Sequence, residues 1–113
     1  MPTVFIIGED WTLRSLVRAE LREHGVEAMG LTTAQEAAQA LARGAKPSAV
    51  IIDVTSLRGE SGVPEMLARS VPVLAVISPG MPVPAWAAAA LAKPVRVGEI
   101  VARVESILKG MAA

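Results

Sequence analysis

One run constrains this chain more than any other: Ala49–Val54, where Val50-Ile51-Ile52 leads directly into Asp53. The run is continuously apolar instead of alternating, as expected for a central parallel strand covered on both faces. A charge at the end of such a strand needs a partner. Two other apolar runs end in the same way. Val4-Phe5-Ile6-Ile7 precedes Glu9-Asp10, and Ala88–Ala92 precedes Lys93. In open α/β sheets the carboxyl ends of the strands border one shared crevice, where ligands bind. Residues more than eighty positions apart would meet there. Three carboxylates facing one ammonium suit a divalent cation and a phosphoryl group.

The remaining pattern is an alternation of strands and helices. Thr3–Ile7 reads as a buried first strand. Thr12 is a plausible N-cap for a helix carrying Leu13, Leu16, Val17 and Leu21 at helical spacing, closed by Gly25. Val26–Leu31 reads as a second strand. Thr33-Ala-Gln-Glu36 has the spacing of a capping box, opening a helix with a small-residue face and ending at Gly44. After Ala49–Val54, Ser56–Gly62 is a polar loop. A short helix runs from Pro64 to about Ser70, Val73–Ile77 is the fourth strand, and Val97 to Leu108 mark a last amphipathic helix stopped by Gly110. This order predicts one α/β domain over residues 1–113, with a doubly wound parallel sheet and right-handed crossovers.

Composition narrows the function. With 113 residues and 52% apolar content, the chain can bury a core of its own. Eleven acidic residues balance eleven Lys and Arg, so direct nucleic-acid binding is not expected. The absence of cysteine excludes a disulfide scaffold, a thiolate metal site and a cysteine nucleophile. No apolar run approaches the roughly 18 residues of a membrane span, and the start lacks a signal peptide's basic segment, so a cytoplasmic location is expected. No enzyme motif appears: Gly59-Glu-Ser-Gly62 is neither a dinucleotide fingerprint nor a P-loop, and no Ser-x-x-Lys or Gly-x-Ser-x-Gly nucleophile occurs. His24, at a helix end, is assigned no chemistry.

Taken in order, Glu9-Asp10 with Arg14 and Leu16, Ile51-Ile52-Asp53, Ser78 after the fourth strand and Lys93-Pro94 resemble the receiver domains of bacterial response regulators, the phosphoacceptors of two-component signalling. The resemblance covers nearly the whole chain and is looser from Ser56 to Leu91. It implies a five-stranded flavodoxin-like sheet of order 2-1-3-4-5. It implies Asp53 as phosphoacceptor for a histidine kinase or phosphotransfer protein. Mg²⁺ would be held by Asp10 directly, by Glu9 through water, by Asp53 and by the backbone carbonyl of Thr55. Ser78 and Lys93 would bind the phosphoryl oxygens, and the Lys93–Pro94 bond would be cis. An output domain or partner protein would receive the signal.

Several residues carry a plainer reading too. Glu9-Asp10 also suits the positive end of the first helix. Ser78-Pro-Gly is ordinary turn chemistry. Trp11 would crowd the mouth of the site, shielding a phosphoryl group or hindering its donor. The larger departure lies between Ser78 and Lys93. Only fourteen residues separate them, and Pro79-Gly-Met-Pro-Val-Pro84 cannot be helix interior. A parallel crossover needs about ten to twelve residues, so the fourth helix should be absent or a stub near Trp86. The family's switch aromatic falls on Ala90, the loop after Asp53 is irregular, and Met81, Val83 and Trp86 should be exposed, open to a homodimer contact. The function expected is that of a phosphoacceptor in two-component signalling, with Asp53 taking the phosphoryl group; the alternative is a pseudo-receiver that keeps the fold and acts through protein contacts without phosphate.

Overall fold

The structure is a computed structural model and describes residues 2–57 and 62–112. The Gly59–Gly62 stretch and the middle of the expected polar loop fall largely outside those residues. The elements alternate as β1 (Thr3–Ile7), α1 (Trp11–Glu23), β2 (Glu27–Leu31), α2 (Ala34–Ala42), β3 (Ala49–Asp53), α3 (Val63–Ala68), β4 (Val73–Ile77), β5 (Ala89–Ala92) and α4 (Val97–Ala112), with a 3-10 turn at Val54–Ser56 after β3. All four strand pairings are parallel, and the order is β2-β1-β3-β4-β5. The expected fold class is the observed one.

Side-chain alternation along the strands builds a layer on each face. Val4, Ile6, Ile51, Leu74 and Val76 turn to one face and meet Val17 and Leu21 of α1 and Ile100 and Val104 of α4. Phe5, Ile7, Val50, Ile52 and Val73 turn to the other and meet Ala34 and Ala37 of α2 and Leu67 of α3. β3 and β4 are buried at every position, which explains why their sequences lack alternation. Each fully buried aliphatic side chain contributes about 1.5–3 kcal/mol. Alanines at positions 34 and 37 let α2 lie close on the sheet. Its N-terminus carries the reciprocal capping box, with Thr33 Oγ1 accepting from the Glu36 amide and Glu36 Oε1 accepting from the Thr33 amide.

Local details depart from the sequence reading in four places. α1 begins at Trp11 and its N-cap is Asp10, whose Oδ1 accepts from the Thr12 and Leu13 amides at 3.0 and 3.2 Å. Thr12 is therefore inside the helix. Leu16 points outward and is half exposed, leaving Val17 and Leu21 as the buried residues of α1. β3 ends at Asp53, which caps the following 3-10 turn, so Val54 leaves the strand. Gly110 does not stop α4, which runs on to Ala112.

The β4–β5 crossover contains no α-helix. Met81 N donates to Ser78 O and Ala87 N to Pro84 O, two isolated turns that three prolines permit. Four α-helices are present among the described residues, one fewer than a fully wound five-stranded sheet of this order would carry. Trp86 takes up part of the missing cover. Its indole is partly buried against the Phe5–Val50–Val73 layer. This corrects the expectation of an exposed Met81–Val83–Trp86 patch: Met81 and Trp86 are half-buried, and only Val83 stands clear, at 60% exposure.

Candidate functional site

Three residues at the carboxyl rim of the sheet form a closed cluster. Asp53, 3% exposed, ends the most buried strand. Its Oδ2 accepts from Lys93 Nζ at 3.0 Å, and its Oδ1 accepts from the Thr55 hydroxyl at 2.7 Å and the Thr55 amide at 3.2 Å. The Lys93 ammonium also donates to Thr55 Oγ1 at 3.3 Å. The 3-10 turn after Asp53 is what brings Thr55 back over the carboxylate. The cis Lys93–Pro94 bond follows β5 directly, and the Lys93 amide donates to Ile77 O of β4, fixing where the side chain departs. A carboxylate this buried is tolerable because each oxygen meets a donor and a cation lies alongside. Sequence spacing placed Asp53 and Lys93 together, and they are together.

The β1 end is arranged differently. The residue facing Asp53 there is Gly8: a Cβ at that position would lie 3.1 Å from Asp53 Cβ and 3.9 Å from Asp53 Oδ2. The acids come one and two residues later. Glu9 is exposed, with its backbone amide donating to Ser56 Oγ at 3.0 Å, and Asp10 is committed to capping α1. Gly8 O accepts from the Arg14 guanidinium, so a cation from α1 lies over the loop as well. Ser78 follows β4 at the same rim, half-buried, with its carbonyl in the turn to Met81.

Mg²⁺ prefers oxygen ligands in octahedral geometry, which the expected set of Glu9, Asp10, Asp53 and the Thr55 carbonyl would supply in part. The side chains present do not fit it. The strand end facing Asp53 is Gly8 and has no carboxylate, Asp10 Oδ1 accepts two helix amides, and the Asp53 carboxylate is already paired with Lys93 and bonded by Thr55. Among the described residues, no group of three or more His, Cys, Asp or Glu side chains could hold a metal ion.

Two contributors were missed in the sequence. Gly8 matters because it leaves room against Asp53, and Ser56, 7% exposed, ties the β1–α1 loop to the end of β3. A hydroxyl three residues after the central aspartate is a signal only once the 3-10 turn is known. Trp11 stands at 70% exposure beside this loop, at the start of α1.

Comparison with known structures places this geometry. The chain is similar to a response regulator receiver protein from Burkholderia phymatum, with 24% identity over 96% of both chains and a TM-score of 0.78. It is similar to the receiver domain of the Francisella response regulator 1452, with 18% identity over 98% of this chain and 99% of that one and a TM-score of 0.82. A candidate response regulator from Chloroflexus aurantiacus J-10-fl aligns with 26% identity over 96% and 99% of the two chains, at a TM-score of 0.75. No protein-family model matches the sequence, and no curated protein does. The chain thus has the receiver fold. It is an atypical form of it, with four α-helices among the described residues. Receiver domains are signalling modules and not enzymes in the ordinary sense. No helix among the described residues is long and apolar enough to cross a membrane.

Proposed function

We propose that this chain is a receiver-type signalling domain that acts through protein contacts, without taking a phosphoryl group on Asp53. The observation that carries this reading is Gly8 at the strand end facing Asp53, beside a carboxylate whose two oxygens are already held by Lys93 and Thr55. Phosphoryl transfer needs positive charge disposed around the equatorial oxygens, and positioning supplies most of the catalysis. Lys93 alone offers only the smaller share of that charge. It is engaged as a structural counter-ion, and the cation that would supply the rest lacks its carboxylates. The absent helix between β4 and β5, with Ala90 in place of a switch aromatic, also removes the surface through which a phosphorylated rim would signal.

A second reading is favoured by the 3.0 Å Asp53–Lys93 pair itself. In it Asp53 accepts a phosphoryl group from a histidine kinase or phosphotransfer protein, with Lys93 and Ser78 binding the oxygens. Acetyl phosphate with Mg²⁺, followed by intact-mass measurement, separates the two. The first reading expects no phosphoadduct. An adduct present in the wild type and lost in Asp53→Ala would overturn it in favour of the second. Self-association through the Trp86 segment is the weaker arrangement, because Val83 alone offers far less than the roughly 800 Å² per partner of a stable interface.

A further inference from the structure

A groove of about 390 Å³ lies between α1 and the edge strand β2. Arg14, Arg18 and Arg22 recur every four residues along it, with Trp11 at the head of the ridge and Met29 on the strand side. Three of the chain's eleven Lys and Arg side chains thus line this one groove. Among the described residues, the groove's one carboxylate, Glu27, pairs with Arg22 at 3.0 Å, while Arg14 and Arg18 join no ion pair.

Those two guanidiniums are nevertheless held in place. Arg14 donates to Gly8 O and Arg18 Nε to Ala28 O at 3.3 Å. The Arg14 stem lies alongside Gly30 at ordinary contact distance. A guanidinium has five N–H donors in a fixed fork, so each retains donors for a bidentate acceptor. Positioning cations in advance lowers the ordering cost of binding. The strand edge adds directional groups. The Glu27 amide and Leu31 carbonyl bond to the β1 side, so the alternating residues Ala28 and Gly30 direct their backbone outward. Flanking this polar floor, Trp11 at 70% and Met29 at 48% exposure are apolar contacts of the kind that anchor a partner side chain.

We infer that the α1–β2 groove docks an acidic peptide segment of a partner protein, with carboxylates on Arg14 and Arg18 and an apolar side chain between Trp11 and Met29. Two unpaired guanidiniums in a short groove match one or two carboxylates. A nucleic-acid backbone would need a broader basic surface than a neutral chain provides. This assignment names the partner chemistry for the interaction module proposed above, and in that sense rests on it. It uses neither Asp53, Thr55 nor Lys93, and although Arg14 and Trp11 border the Gly8 loop, Arg18 bonds Ala28 O away from it, so the two can fail separately.

The test uses a fluorescein-labelled decapeptide with four glutamates flanking a Leu-Leu pair, titrated with the whole domain and read by anisotropy. Saturable binding is expected, weakening tenfold or more in Arg18→Glu and several-fold in Trp11→Ala. The exposure of both residues keeps either variant folded, which circular dichroism checks. The same peptide with glutamine in place of glutamate should not bind. Amide shift changes on binding should map to α1 and β2. Absence of saturable binding, equal binding of the glutamine peptide, or an unaltered Arg18→Glu would overturn the inference. Tighter binding of a single-stranded oligonucleotide of equal charge would overturn it too. A phosphoadduct on Asp53 in the separate labelling experiment would leave the groove untouched and count only against the reading of the rim.

Discussion

The two halves of the sheet's carboxyl rim have diverged. At the β3–β5 half, Asp53, Thr55 and Lys93 form a dense set of bonds between 2.7 and 3.3 Å around a buried carboxylate. At the β1 half, the place that faces Asp53 is a glycine, one acid is exposed, and the other caps a helix. The retained half is satisfied within the chain, since the Lys93 ammonium and the Thr55 hydroxyl and amide bond both carboxylate oxygens. The β1 half leaves no buried group unpaired either, because Glu9 is exposed and Asp10 caps α1.

The largest expected effect breaks the retained half. Lys93→Ala strips the counter-charge from a buried aspartate, and a loss of about 2–3 kcal/mol in denaturant unfolding is expected, less than for a fully buried pair because the lysine is one-third exposed. Adding Asp53→Ala should restore part of the loss, since the stranded charge is then gone. A fully additive double variant would show that the pair is not coupled. Next comes the crossover that replaced a helix. Trp86→Ala should cost about 2 kcal/mol, because a half-buried indole covers the second core layer. A negligible change would return Trp86 to the exposed patch expected from sequence. The smallest effect falls on the β1 half: Asp10→Ala removes an N-cap worth about 1 kcal/mol, equally with and without Mg²⁺. A deficit that appears only with Mg²⁺ present would instead make Asp10 a ligand.

Much of this was legible before the coordinates. β1, β3 and β4 are continuous apolar runs because they are covered on both faces, and such runs allow few alternatives. The capping box at Thr33 and Glu36 is a local rule that neighbours did not override. Three prolines in six residues ruled out a helix between β4 and β5, and none forms. What escaped the sequence turns on single-residue register. Whether Gly8 or Glu9 faces Asp53 depends on where β1 releases the chain into α1, and Asp10 and Thr12 both have the chemistry of a cap. Only the helix start at Trp11 decides between them. The Thr55 and Ser56 contacts depend on a three-residue 3-10 turn, too short to leave a periodic trace. Trp86 escaped for another reason: a segment without periodicity does not reveal which way its side chains face.

Calorimetric titration of the domain with Mg²⁺, run beside Asp53→Ala, addresses the difference between the two halves most directly. No saturable heat is predicted for the wild type up to millimolar concentrations. A wild type that binds Mg²⁺ saturably, and loses that binding in Asp53→Ala, would contradict a rim closed by Lys93 and Thr55 alone.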